Sequence, residues 1–100
     1  MDIEFADPHL ALIETDAAAE TRLPVAVIHA ARQRFSIMRA APDVRTLQNL
    51  KSLGLKPRAG PAEHLVVLGP QWAMAVKIIE KNNMMTVVVT AMNENSRGIA

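Results

Sequence analysis

Residues 71–78, QWAMAVKI, put a single cation in an unusual setting. As a strand, the segment turns Trp72, Met74, Val76 and Ile78 to one side and Ala73, Ala75 and Lys77 to the other. The first side is a packing face. The second carries two minimal side chains and then one ammonium group, so it is either covered by a close neighbour or lines a cleft with few occupants. Two more cations, Lys56 and Arg58, stand in the proline- and glycine-containing stretch 55–61. His64 follows on a strand, and of the three histidines it is the candidate proton carrier.

Residue types exclude much other chemistry. There is no cysteine, hence no disulfide, thiolate metal site or thiol nucleophile. No glycine-rich phosphate loop, metal-ligand box or G-x-S-x-G elbow occurs. His9 and His29 lie on a helix start and a polar helix face, away from any serine–carboxylate pair. With two phenylalanines, one tryptophan and no tyrosine, base stacking is poorly provided for. No metal or small-molecule cofactor is expected.

Charge is distributed unevenly although the net value is only +1. Residues 1–21 hold Asp2, Glu4, Asp7, Glu14, Asp16 and Glu20 with no Lys or Arg. Residues 22–58 hold Arg22, Arg32, Arg34, Arg39, Arg45, Lys51, Lys56 and Arg58 against Asp43 alone. Such asymmetry points to a polyanionic or acidic partner, with Arg32, Arg39 and Lys51 as candidate nucleic-acid contacts. A solvated helix face and loops would produce the same pattern. No apolar run approaches the roughly 20 residues that span a bilayer, and the acidic start lacks a signal-peptide layout. A cytoplasmic protein without membrane contact is expected.

The elements that must carry these residues follow from periodicity. Alternation predicts a strand over 2–5, and Asp7-Pro8 opens a helix with Leu10, Ile13 and Ala17 as its apolar stripe. Over 24–41, Val27, Ile28, Ala31, Phe35 and Met38 share one helical arc, and Arg32 and Arg39 share the opposite one. Arg34 falls inside the apolar arc, its stem expected on the core and its head in water. Asp43 caps one further turn through residue 50. Strands are predicted at 53–56, 63–68, 72–79 and 84–92, with a hairpin turn at 81–83 and a loose tail from 93. The outcome is one α+β domain over 1–100, β-α-α-β-β-β-β, with an N-terminal strand and two helices packed on an antiparallel sheet. The helix at 24–41 should cover the sheet face holding Trp72, Met74 and Val76.

The order of short motifs resembles the HigB-like killer proteins of the RelE/ParE toxin superfamily. The motifs are Arg39-Ala40-Ala41-Pro42-Asp43, the leucine-rich turn at 47–53, Leu55-Lys56 and Gly69-Pro70-Gln71-Trp72, after the opening IEFADPHLALIETD. The resemblance spans roughly residues 2–92. It implies the toxin of a type II toxin–antitoxin pair serving plasmid maintenance, an endoribonuclease that cleaves mRNA in the ribosome and is neutralised by an antitoxin protein. In such cleavage the RNA 2′-hydroxyl attacks and basic side chains stabilise charge on the phosphate. Carried over by position, Lys56 matches the loop lysine and Lys77 the second basic residue of the Trp-Arg strand, with Arg58 in the same loop.

Two departures weaken the implied chemistry. Ala73 stands at the arginine position of the family pattern, and Ala91-Met92-Asn93 stands where an acidic–aromatic–histidine ending is expected. Losing general acid–base catalysis alone costs about 10²–10⁴-fold. The resemblance therefore implies a weakened mRNA interferase, with room for a long side chain at position 73 if that face is open. The alternatives are a catalytically silent binding module of RelE fold, contacting protein or nucleic acid, and an unrelated small enzyme. Lys56 and Arg58 would then be solvated charges, Lys77 an edge-strand charge, and Trp72 a core anchor.

Overall fold

A computed structural model describes residues 1–49, 55–57, 63–69 and 71–94. In chain order these form β1 (Asp2–Phe5), α1 (Pro8–Ala11), two 3-10 turns (Leu12–Glu14 and Ala18–Thr21), α2 (Val25–Ala40), α3 (Val44–Asn49), β2 (Leu55–Pro57), β3 (Glu63–Val67), β4 (Trp72–Lys81) and β5 (Met84–Glu94). The class is α+β, as the periodicity predicts.

Local chemistry explains the element ends. The Asp7 carboxylate accepts from the His9 N–H at 2.9 Å, and Pro8 occupies the first helical position, where no N–H is needed. α1 runs for one turn and tightens into 3-10 geometry, so Ala18 rather than Ala17 joins Leu10 and Ile13 in the core. α2 ends before Pro42, and the α-ammonium of Met1 donates to the carbonyls of Met38, Arg39 and Ala41 at 3.3, 3.1 and 2.8 Å. A cation at a helix C-terminus is favourable for both hydrogen bonding and the helix dipole. Asp43 caps α3 by accepting from the Thr46 N–H and hydroxyl, both at 2.8 Å.

The five strands are ordered β1-β5-β4-β3-β2. β2 to β5 form the expected antiparallel meander, but β1 lies parallel to β5, Ile3 opposite Val87 and Phe5 opposite Val89. The sheet is therefore mixed rather than wholly antiparallel. A parallel pair needs a crossover instead of a hairpin, and the helical layer plus the meander provide it. Asn82 and Asn83 turn the β4–β5 hairpin with φ of 52° and 63°, the left-handed pair that a two-residue turn requires. A bulge interrupts this ladder: Ala75 opposes Ala91 and Val76 opposes Val89, leaving Thr90 extra, its hydroxyl donating to the Ala75 carbonyl at 3.1 Å.

One core lies between helices and sheet. Val27, Ile28, Ala31, Phe35 and Met38 of α2 share it with Val66, Met74, Val76, Ile78, Val87 and Val89, and Trp72 packs at its margin. The register expected from alternation is observed. The Phe5 and Phe35 rings meet edge-to-face at a centroid distance of 5.5 Å. Arg34 is half-buried, its Nη1 reaching out to donate to Gln33 Oε1 in an exposed bond while its Nε is buried with no hydrogen-bond partner among the described residues.

Candidate functional site

Alternation along the strands assigns each side chain to one of the two sheet faces. The face away from the helices carries Lys56 on β2, Glu63, Leu65 and Val67 on β3, and Ala73, Ala75 and Lys77 on β4. Lys56 opposes Leu65, Leu65 opposes Ala75, and Lys77 lies two residues along from Ala75. Strand spacing and rise put the Lys56 and Lys77 Cα atoms about 12 Å apart, close enough for two long side chains to address one stretch of polyanion. Both lysines are exposed.

The floor beneath them is closed. Ala73 and Ala75 are only 2% and 4% exposed although neither belongs to the core under the helices. Ala73 lies between Val67 and Asn93, and Ala75 between Leu65 and Ala91, at the narrow separation of neighbouring strands. Around the two alanines the face is crowded, while Glu63, Leu65 and Val67 beside them are half-buried and both lysines are exposed. That crowding leaves little room for a long side chain at position 73.

Glu63 is a residue that the motif reading passes over. It lies directly opposite Lys77 on the same face, so each phosphate approaching Lys77 also meets a carboxylate. Opposite charges so placed stabilise a strand pair by about 0.2–1 kcal/mol. The signal was available in the alternation of 63, 65 and 67 once β3 is aligned with β4.

His64 falls on the other face. It opposes Val76 and shares the parity of Val66, which is buried under the helices. Lys56 and Lys77 are thus brought together, and His64 is not brought to them. Arg58 and Lys51 lie outside the described residues.

Arg32 and Arg39 have donors engaged within the chain. Arg32 donates from Nε to the Ile13 carbonyl at 2.7 Å and from Nη2 to the Thr15 carbonyl at 3.0 Å. Arg39 grips the Glu14 carboxylate with both terminal nitrogens, Nη2 to Oε1 at 2.6 Å and Nη1 to Oε2. Hydrogen bonding to Glu14, reinforced by its charge against a desolvation cost, raises the Arg39 pKa above its ordinary value. Lys81 pairs likewise with Glu4, at 2.9 Å. The acidic first segment and the basic middle therefore partly answer each other. Arg32 and Arg39 act as clamps that hold the first 3-10 turn against α2.

Among the described residues no group of three His, Cys, Asp or Glu side chains could hold a metal ion, and no helix is long and apolar enough to cross a membrane. Clefts of about 480 and 300 Å³ lie beside β1 and beside the end of β5, and neither is lined by Lys56 or Lys77. Both lysines stand exposed on one strand face, an arrangement suited to an extended partner. No family model, curated protein or solved structure matches the chain.

Proposed function

We propose that this chain is a RelE/HigB-like toxin-module protein that engages ribosome-associated mRNA through the Lys56/Lys77 sheet face and cleaves it only weakly. The observation that carries this reading is the pair of exposed lysines on one face, over a floor of buried alanines. Two ammonium groups can hold a phosphate backbone by charge. They supply part of the electrostatic stabilisation that a scissile phosphate needs, where each missing donor costs about 10²–10³ in rate. An antitoxin protein is the partner that this reading requires.

A second reading, a silent binding module of the same architecture, is favoured by Glu63 opposite Lys77 and by His64 on the reverse face. Inducing the chain alone in a bacterial host, with primer extension on ribosome-bound mRNA, separates the two. Weak cleavage and mild growth impairment, both abolished in Lys56→Ala and Lys77→Ala, are expected. RNA retention without any cut supports the silent module. Full toxicity that survives both substitutions contradicts the site.

A further inference from the structure

β5 outruns its neighbour. β1 pairs with residues 86–89 of β5, and the last bond on that side runs from the Ala6 N–H to the Val89 carbonyl at 2.9 Å. Asp7-Pro8 then turns the chain into α1. The hairpin register decides what lies beyond. A two-residue turn makes Lys81 and Met84 a hydrogen-bonded pair, so residues 85, 87 and 89 direct their main-chain groups away from β4. The bulge at Thr90 moves this alternation by one residue, so that Ala91 and Asn93 bond toward β4 and Met92 faces outward. Among the described residues, no hydrogen bond reaches the outward N–H or C=O of Met92.

This free edge is recessed. Met92 lines a groove of about 300 Å³ together with the apolar Leu10 and Leu23 and the polar Asp7 and His9. Its lining includes no Lys or Arg, and Glu94 stands exposed at the end of the strand. Among the described residues, unpartnered main-chain groups, apolar lining side chains and the Asp7 and Glu94 carboxylates together specify an occupant.

We propose that the outer edge of β5 beyond β1 is a strand-addition site for an extended segment of a partner protein that alternates apolar and basic side chains. The incoming backbone bonds to Met92, its apolar residues enter between Leu10 and Leu23, and its basic residues meet Asp7 and Glu94. A polyanion is disfavoured here, so this surface is independent of the Lys56/Lys77 face and of the function proposed for it.

The probe is a fluorescein-labelled peptide of alternating lysine and valine, Ac-KVKVKV-NH₂, read by anisotropy and by amide hydrogen exchange on the full chain. Saturable binding with new exchange protection at Met92 is expected. Met92→Pro removes the outward N–H without touching the β4 ladder and should weaken binding about five- to tenfold. Asp7→Asn keeps an N-capping side chain while lowering affinity at low salt and flattening its salt dependence. A peptide N-methylated at every residue donates no main-chain hydrogen bond from either edge and should not bind. Equal binding of the N-methylated peptide, or protection at β2 in place of Met92, overturns the proposal whatever the variants do.

Discussion

Replacing Ala73 with arginine distinguishes a closed sheet face from an open cleft floor. With 2% of its surface exposed and Val67 and Asn93 on either side, Ala73 leaves no volume for six more heavy atoms. Overpacking costs about 1–3 kcal/mol. Guanidinium desolvation, relieved in part by the long stem reaching water, brings the total to about 3–5 kcal/mol. A domain of this size has about 5–15 kcal/mol in all. With a urea m-value of about 1.5 kcal/mol/M, the midpoint should fall by about 2–3 M. Trp72 fluorescence reports the transition directly, since the indole sits at the core margin. Gln71→Arg, at an exposed neighbouring position, is the control and should leave the midpoint unchanged. An unchanged midpoint for Ala73→Arg, above all with increased RNA cleavage, would refute the closed-face reasoning and restore the cleft.

Two further perturbations test the frame. Thr46 holds the Asp43 carboxylate below its ordinary pKa, chiefly through its backbone N–H and then its hydroxyl. A depressed folded pKa gives stability that is complete above the unfolded value, near 3.9, and is lost as pH falls through the folded value; the advantage of the natural chain over Asp43→Asn in urea melts should thus hold at pH 6 and shrink below about pH 4. Asn83→Val forces a β-branched residue to a φ of 63° and should cost about 1–2 kcal/mol in the same melts, whereas Asn83→Gly should not destabilise the hairpin.

What could be read from residues alone was whatever is encoded locally. Asp7-Pro8, Asp43 and Asn82-Asn83 announce their caps and turn through side-chain chemistry that acts within a few residues. The α2 stripe and the Trp72/Met74/Val76 face follow from periods of 3.6 and 2. Long-range pairing was not legible. Nothing in Asp2–Phe5 says that its neighbour is β5, with paired residues 84 apart in the chain, or that the pair is parallel. Arg32 and Arg39 read as a basic helix face because their partners, the Ile13 and Thr15 carbonyls and Glu14, are 17 to 25 residues distant. His64 looked adjacent to the basic loop by sequence distance, and strand parity sends it to the other face. The buried alanines were ambiguous by nature, since two small residues suit a cleft floor and a crowded sheet equally well.

The proposed function requires that RNA be held by the sheet face and not by the basic face of α2. Affinity for a single-stranded RNA should be measured from about 50 to 200 mM salt for the natural chain, for Lys56→Ala/Lys77→Ala and for Arg39→Gln. Each phosphate contact on a single strand contributes about 0.7 to the slope of log K against log salt. The double lysine variant should therefore lose about 1.4 from that slope and most of its affinity, while Arg39→Gln, already committed to Glu14, should change neither. An unchanged slope in the lysine variant, or an equal loss in Arg39→Gln, would contradict the account.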